Sequence, residues 1–182
     1  KLSKDCFVIT PGSDGGIRLC FELFVKPKDK IITLSPTFAM VDIYAKIFEA
    51  NQFKINYDEK LMLNISDIFN HLKKRVSLLI LANPNSPTGT IIDNASIIKI
   101  LKEAKKNKTA VLIDEAYFGF TEYTTIPLIK RFNNLIVVRT FSKSFGLAGL
   151  RGGFLATNKF LAKQLFNLKP MYEINSLGIL II

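Results

Sequence analysis

Sulfur and histidine are scarce in this sequence. The only two cysteines, Cys6 and Cys20, stand 14 residues apart, with no CxxC pair and no Cys/His cluster. That speaks against a disulfide scaffold or a structural zinc and suits a reducing compartment, the cytoplasm. The single histidine, His71, sits beside Leu72 and Lys73 on a predicted helix and reads as a surface or helix-boundary residue. Alone it gives no Ser–His–Asp arrangement. No apolar run nears the ~20 residues of a membrane span; even Val76–Ala82 is interrupted by Ser77. Residues 1–30 carry acids and lack a basic start followed by an apolar core, so they do not read as a signal peptide. Repeats, low-complexity stretches and linkers are missing as well.

Acid is in short supply too. Lys and Arg number 25 against 15 Asp and Glu, a net charge of +10, of which residues 1–60 hold +1 and residues 61–182 hold +9. Such a balance invites a nucleic-acid reading. Yet the excess falls mostly at helical positions, Lys73, Lys74, Arg75, Lys99, Lys102, Lys105, Lys106 and Lys108, where it reads as solvated helix faces. No aromatic residues interleave with it as a base-stacking surface requires. Neither nucleic acid nor membrane is expected as a partner.

What is present is enough for a core. The 182 residues are 48% hydrophobic, with a mean hydropathy of +0.24, and a prior of roughly 150 residues per domain reads them as one domain, or one with an appendage. Short apolar runs alternate with amphipathic stretches. Strands are predicted at Cys6–Thr10, Lys30–Leu34, Gln52–Tyr57, Ser77–Ala82, Ala110–Asp114, Leu135–Thr140 and Gly153–Thr157. Helices are predicted at Gly16–Val25, Ala39–Glu49, Ile65–Lys74, Ala95–Asn107 and Lys159–Asn167. Phe21, Phe24, Phe48 and Phe166 fall at helical spacings and read as core. Leu78–Leu81 and Val111–Ile113 are apolar without alternation, as strands buried on both faces are. The pattern predicts an α/β fold, a three-layer αβα domain around a mostly parallel, mixed central sheet.

In such a sheet, ligands bind beyond the carboxyl ends of the strands. Five polar clusters follow strands here: Pro11–Gly15, Ser35–Phe38, Asn83–Gly89, Asp114–Tyr117 and Ser142–Ser144. They gather along one edge. The segment Thr10–Gly16 runs from strand to helix through Gly12, Gly15 and Gly16, a turn suited to a phosphate at a helix start. It is neither a Walker A loop nor a GxGxxG fingerprint, and an ordinary βα turn with Ser13 or Asp14 as N-cap also accounts for it. The turn Asn83–Gly89 gathers amides and hydroxyls that a purely structural turn does not need. At the end of an apolar strand, Asp114 reads either as a cap of the next turn or, functionally, as the ion partner of a cationic ligand atom. Lys143 follows a strand among small hydroxyl residues and glycines, with Arg151 eight residues on. A desolvated lysine there can form a Schiff base, and an arginine offers a bidentate phosphate clamp. A plain surface lysine is the competing reading.

Taken together, the segments TPGSDGGI, PTFAMV, NPNSPTG, VLIDEAYFGF, RTFSKSFGLAGLRGGF and YEINSL resemble the pyridoxal-phosphate enzymes of fold type I, in particular their histidinol-phosphate aminotransferase branch. The likeness runs through nearly the whole chain in the expected order. It implies a PLP-transferase large domain over residues 1–182, with Lys143, Asp114 and Tyr117 as catalytic residues and pyridoxal 5'-phosphate as cofactor. By the same likeness Lys143 holds the cofactor, Asp114 pairs with its ring nitrogen, Tyr117 reaches its 3-oxygen and Phe38 stacks on the ring. The phosphate falls to the backbone N–H groups of Ser13 and Asp14 together with Ser142 and Arg151. Asn85 or Ser86 takes the role of the asparagine usual before Pro-Thr-Gly in this branch. Gly15 stands where an acidic residue is common.

The resemblance also implies a homodimer, a small-molecule amino donor and a 2-oxo acid acceptor. It implies a longer protein as well, since the family has a segment before the equivalent of Lys1 and a smaller domain after that of Ile182. Two other readings compete with transamination: decarboxylation of a phosphorylated amino acid, as in threonine-phosphate decarboxylase, and a non-catalytic basic binding module.

Overall fold

The structure is a computed structural model that describes residues 1–181. Seven strands form one mixed sheet: β1 (Phe7–Thr10), β2 (Lys30–Ser35), β3 (Asn51–Asn56), β4 (Val76–Ala82), β5 (Ala110–Asp114), β6 (Leu135–Thr140) and β7 (Gly153–Ala156), in the order β1-β7-β6-β5-β4-β2-β3. Only β7 runs against its neighbours, pairing antiparallel with both β1 and β6. The helices are α1 (Gly12–Phe24), α2 (Ala39–Ile47), α3 (Ile65–Leu72), α4 (Asn94–Lys106), α5 (Lys159–Leu168) and α6 (Ser176–Ile181). The predicted α/β three-layer class is the observed one, and each predicted strand and helix is found, β5 and β6 with the predicted bounds and the others with ends shifted by up to a few residues.

Alternate residues of the central strands feed two separate cores. Ile31, Leu78, Ile80, Leu112, Ile136 and Val138 meet α1, α2 and α5 through Ile17, Phe21, Val41 and Leu165. On the other face Ile32, Leu34, Leu79, Val111, Ile113 and Val137 meet α3 and α4 through Ile68, Leu72, Ile97 and Ile100. Burial on both sides explains why β4 and β5 read as continuous apolar runs. α3 and α4 start on side-chain caps, Asn64 accepting from the Ser66 N–H and Asp93 from the Ser96 N–H. The eight basic residues of the α3 and α4 region are all exposed. His71 lies near the end of α3, against Phe53 at 4.7 Å, with Nδ1 2.8 Å from the Asp67 carbonyl.

Two expectations need correction. α1 begins at Gly12, not Gly16, so Ser13 and Asp14 lie in its first turn and neither is the N-cap; Pro11 holds that position without a side-chain cap bond. Gly12 takes φ +70°, which lets the chain turn from β1 into the helix at once. Phe166 is 61% exposed and outside the core, because Ala162 and Leu165 form the inward side of α5.

The strand ends are in register where it matters. Thr10 and Thr140 both pair with Gly153, at the mouth of β7, and Asp114 pairs with Ala82 and Val138. A Cβ on Gly153 would come within 2.6 Å of Gly12 C and 2.5 Å of the Arg139 carbonyl oxygen. The first turn of α1 is thus seated directly on β7.

Candidate functional site

Beyond these strand ends lies a cavity of about 290 Å³ whose wall takes residues from all five polar clusters. Nine of the ten residues singled out from the sequence line it: Ser13, Asp14, Phe38, Ser86, Asp114, Tyr117, Ser142, Lys143 and Arg151. The tenth, Asn85, does not.

Asp114 ends β5 and is 5% exposed. Among the described residues, the one hydrogen bond donated to its side chain comes from the Ala116 N–H, to Oδ1 at 2.9 Å. Burial pushes its carboxyl up to about 7, with the neighbouring charges of Glu115 and Asp14 adding to the rise. A buried acid of this kind ionises readily only when a cation is brought against it, which makes it a receptor for a protonated ring nitrogen or an amine.

A guanidinium and free N–H donors meet at the start of α1. The N–H groups of its first turn lack helical acceptors, and the helix dipole adds to their pull on an anion. Were Gly12 to carry a Cβ, that atom would lie 3.8 Å from Arg151 Nη2, so the guanidinium sits against this turn. Ser142 Oγ is buried without a hydrogen-bond partner, while its N–H donates to Thr140 Oγ1 at 3.1 Å. An orphaned hydroxyl, an arginine and a helix start in one cavity form a cradle that an oxyanion would satisfy. The Asp14 carboxylate is turned to Tyr44, whose Oη donates to its Oδ1 at 3.1 Å. Burial, reinforced by Asp14, pushes that phenol up to about 12.

Lys143 is exposed, where the sequence had pointed to a desolvated amine. Its Nζ lies 5.3 Å from the centre of the Tyr117 ring, and both residues line the cavity. The loop bearing Lys143 is docked on the loop bearing Tyr117: Ser144 Oγ donates to the Phe118 carbonyl at 2.6 Å. Gly119, at φ +100°, leaves the room that Ser144 occupies; a Cβ there would fall 2.5 Å from Ser144 Oγ. The exposed Phe38 supplies an aromatic wall at the start of α2.

The Asn85 amide is committed elsewhere. It accepts from Thr37 Oγ1 at 2.8 Å and donates to the Pro36 carbonyl at 3.0 Å and Thr88 Oγ1 at 2.8 Å, tying two loops together. Ser86 is the residue of that pair on the cavity wall.

Next to Asp114, Glu115 is 1% exposed and accepts from Arg139 through Nε at 3.0 Å and Nη2 at 2.8 Å. It also accepts from the N–H and hydroxyl of Thr125, at 2.6 and 2.7 Å, and from the Thr124 hydroxyl at 2.9 Å. The Arg139 guanidinium covers the Phe118 ring at 3.4 Å. Glu115 therefore closes both ends of the loop that carries Tyr117. Sequence reasoning missed this role, and missed Tyr44 altogether, because both depend on contacts between residues 24 and 30 positions apart. Among the described residues no group of three or more His, Cys, Asp or Glu is placed to hold a metal, and no helix is long and apolar enough to cross a membrane.

Comparison with known proteins places this geometry in context. Residues 2–178 match the family model described as aminotransferase class I and II. The histidinol-phosphate aminotransferase of Caldanaerobacter subterraneus subsp. tengcongensis is 42% identical over 168 residues, covering 92% of this chain and 47% of its own length. That of Thermoanaerobacter pseudethanolicus is 39% identical, covering 98% of this chain and 52% of its own length. The crystal structure of the histidinol-phosphate aminotransferase from Clostridium acetobutylicum superimposes with a TM-score of 0.85 at 29% identity, over 94% of this chain and 52% of that one. The Sinorhizobium meliloti enzyme of the same name, solved in complex with pyridoxal-5'-phosphate, shares the fold at a TM-score of 0.88 and 21% identity, over 97% of this chain and 49% of its own. The chain spans about half the length of the relatives it matches. By its sequence match over nearly its whole length, this chain belongs to the class I and II aminotransferase family.

Proposed function

We propose that residues 1–182 are the cofactor-binding large domain of a pyridoxal-phosphate-dependent aminotransferase. Its substrates would be an amino acid or amino-alcohol phosphate of the histidinol-phosphate type and a 2-oxo acid. The observation that carries this reading is the joint presence, in one cavity, of Lys143, the buried carboxyl of Asp114 and the anion cradle at the start of α1. The residues present fit pyridoxal phosphate: the orphaned Ser142 hydroxyl and Arg151 suit its phosphate, and Asp114 suits its ring nitrogen.

Bound there, pyridoxal phosphate supplies a ring that draws electrons from the substrate Cα. The chain's own residues do the rest. The N–H groups of Ser13 and Asp14, with Ser142 and Arg151, would hold its phosphate. Asp114 would keep a proton on the ring nitrogen, and Tyr117 would serve the 3-oxygen. Phe38 would supply an aromatic wall to the ring, and Ser86, the one of the Asn85–Ser86 pair on the cavity wall, would face it from the turn after β4. Lys143 would anchor the cofactor through its ε-amine and serve as the base that takes the proton from the substrate Cα. Its exposure leaves the amine free to move between these tasks. The grip on the substrate carboxylate and phosphate, in this reading, comes from parts of the protein outside residues 1–182. We place the working enzyme in the cytoplasm as a homodimer.

The test is a half-reaction with L-glutamate. The full-length protein loaded with pyridoxal phosphate should shift its absorbance to that of the pyridoxamine form, and Lys143→Ala should slow this by about 10²–10⁴-fold. Release of CO₂ from a phosphorylated amino acid, with the original spectrum retained and no response to glutamate, would mark the protein as a decarboxylase.

A further inference from the structure

Six non-glycine residues among those described take positive φ: Lys28, Glu49, Leu61, Arg75, Lys108 and Arg151. The first five lie in connections away from the cavity; Arg151 is the one that lines it. At φ 53° and ψ 29° its backbone is left-handed, a conformation that a residue with a Cβ keeps only where its surroundings impose it. Within its own turn, Arg151 is held by two bonds. The Leu150 N–H donates to the Leu147 carbonyl at 3.1 Å, and the Arg151 N–H to the Ala148 carbonyl at 3.3 Å. Both are of the shorter helical type, whose geometry is poor.

The further support comes from 25 residues away. Asn175, just before α6, donates from Nδ2 to the Leu150 carbonyl at 3.0 Å. Its Oδ1 accepts from the Gly178 N–H at 2.8 Å, so the amide is fixed at both ends. Gly178 is buried, and a Cβ there would lie 3.3 Å from the same Leu150 oxygen. The carbonyl is seated in a notch made for it. Because a peptide is planar, holding the Leu150 oxygen fixes the plane that precedes Arg151, and with the Gly152 carbonyl held on the other side by the Phe141 N–H at 3.0 Å the φ of Arg151 is confined between two anchored peptides. That angle decides whether the guanidinium lies against Gly12 at the start of α1.

We infer that Asn175 is a positioning residue that holds Arg151, through the Leu150 carbonyl, in the left-handed conformation from which it grips the cofactor phosphate. The inference rests on the reading of the cavity as a pyridoxal-phosphate site. Asn175 touches neither the cofactor nor the substrate; it acts through the backbone.

Pyridoxal, which lacks the phosphate, separates this role from a general structural one. Dissociation constants for pyridoxal phosphate and for pyridoxal are measured on the full-length protein and on Asn175→Ser and Asn175→Asp. Ser and Asp both keep an acceptor for the Gly178 N–H; the first is too short to reach the Leu150 oxygen and the second has no donor to give it. Both variants should bind pyridoxal phosphate about two- to tenfold more weakly and pyridoxal as the parent does. Arg151→Ala should show the same selective loss, and Asn175→Ser should add little to it. An unchanged ratio of the two constants in both Asn175 variants, or an equal weakening of both ligands, would overturn the inference. If Arg151→Ala itself left the ratio unchanged, the phosphate assignment would fail first, and the inference with it.

Discussion

Asp114 combines in one side chain the cost and the use of this site. A carboxyl 95% withdrawn from water loses hydration that a single N–H cannot replace, and its acidity drops until it titrates at about 7. An acid whose pKa is higher folded than unfolded binds more protons in the native state between the two values. Stability from this group is therefore present below about pH 4 and declines as pH rises toward about 7. Replacing it with Asn removes the titration but keeps the shape. The cofactor-free Asp114→Asn protein should melt higher than the parent above pH 7, with the difference shrinking toward pH 4, as followed by thermal unfolding across that range. A difference that does not depend on pH would show that Asp114 is not the titrating group. The same variant should lose transaminase turnover, because an amide cannot keep the ring nitrogen protonated. Local stability is given up at the residue on which the proposed chemistry depends.

At the scale of elements, the parts legible in the sequence are those set by local pattern. β4 and β5 stand out because double burial demands uninterrupted apolar residues, and α4 because Ile97, Ile100, Leu101 and Ala104 recur at helical spacing. The start of α1 was hidden, since a helix opening with Gly12 and continuing through Gly15 and Gly16 has the composition of a loop. Phe166 was misjudged because an aromatic at helical spacing says nothing about which side of α5 faces the sheet. The close seating of α1 on β7 gives a prediction at this scale. Gly153→Ala drives a Cβ into the backbone of Gly12 and the Arg139 carbonyl, neither of which can yield as a side-chain tip would. It should cost about 1–3 kcal/mol of stability and weaken cofactor binding by displacing the first turn of α1. Denaturant unfolding and cofactor titration check the two effects, and a neutral outcome in both would contradict the seating. The loop between β5 and β6 is anchored by the buried Glu115–Arg139 pair. Arg139→Ala leaves Glu115 charged and buried and should cost about 3–5 kcal/mol in the same unfolding experiment.

For the whole molecule, the sheet edge matters more than any single motif. Five loops scattered from residue 11 to residue 151 meet there because parallel strands deliver their carboxyl ends to one side. The sequence therefore pointed to nine residues that line this cavity, without its internal wiring. Which of Asn85 and Ser86 faces the cavity, what Asp14 leans on and what holds Arg151 are decided by contacts across the fold. The surface has its own consequence. Leu177, Ile179, Leu180 and Ile181 of α6 are between 58 and 82% exposed, with Met171 and Tyr172 beside them at 82 and 92%. An apolar surface of this kind promotes association. The 182-residue chain should run larger than a monomer in size-exclusion chromatography with light scattering, and Leu177→Lys with Leu180→Lys should shift it toward the monomer. Unchanged elution would place the contact elsewhere.

The central claim is that Lys143 is the residue that holds pyridoxal phosphate in the cavity at the strand ends. Borohydride reduction of the full-length protein in the presence of pyridoxal phosphate, followed by peptide mass spectrometry, tests it directly. The account predicts a pyridoxyl adduct on the peptide containing Lys143, and none there in Lys143→Ala. An adduct confined to other lysines, or no adduct at all, would contradict it.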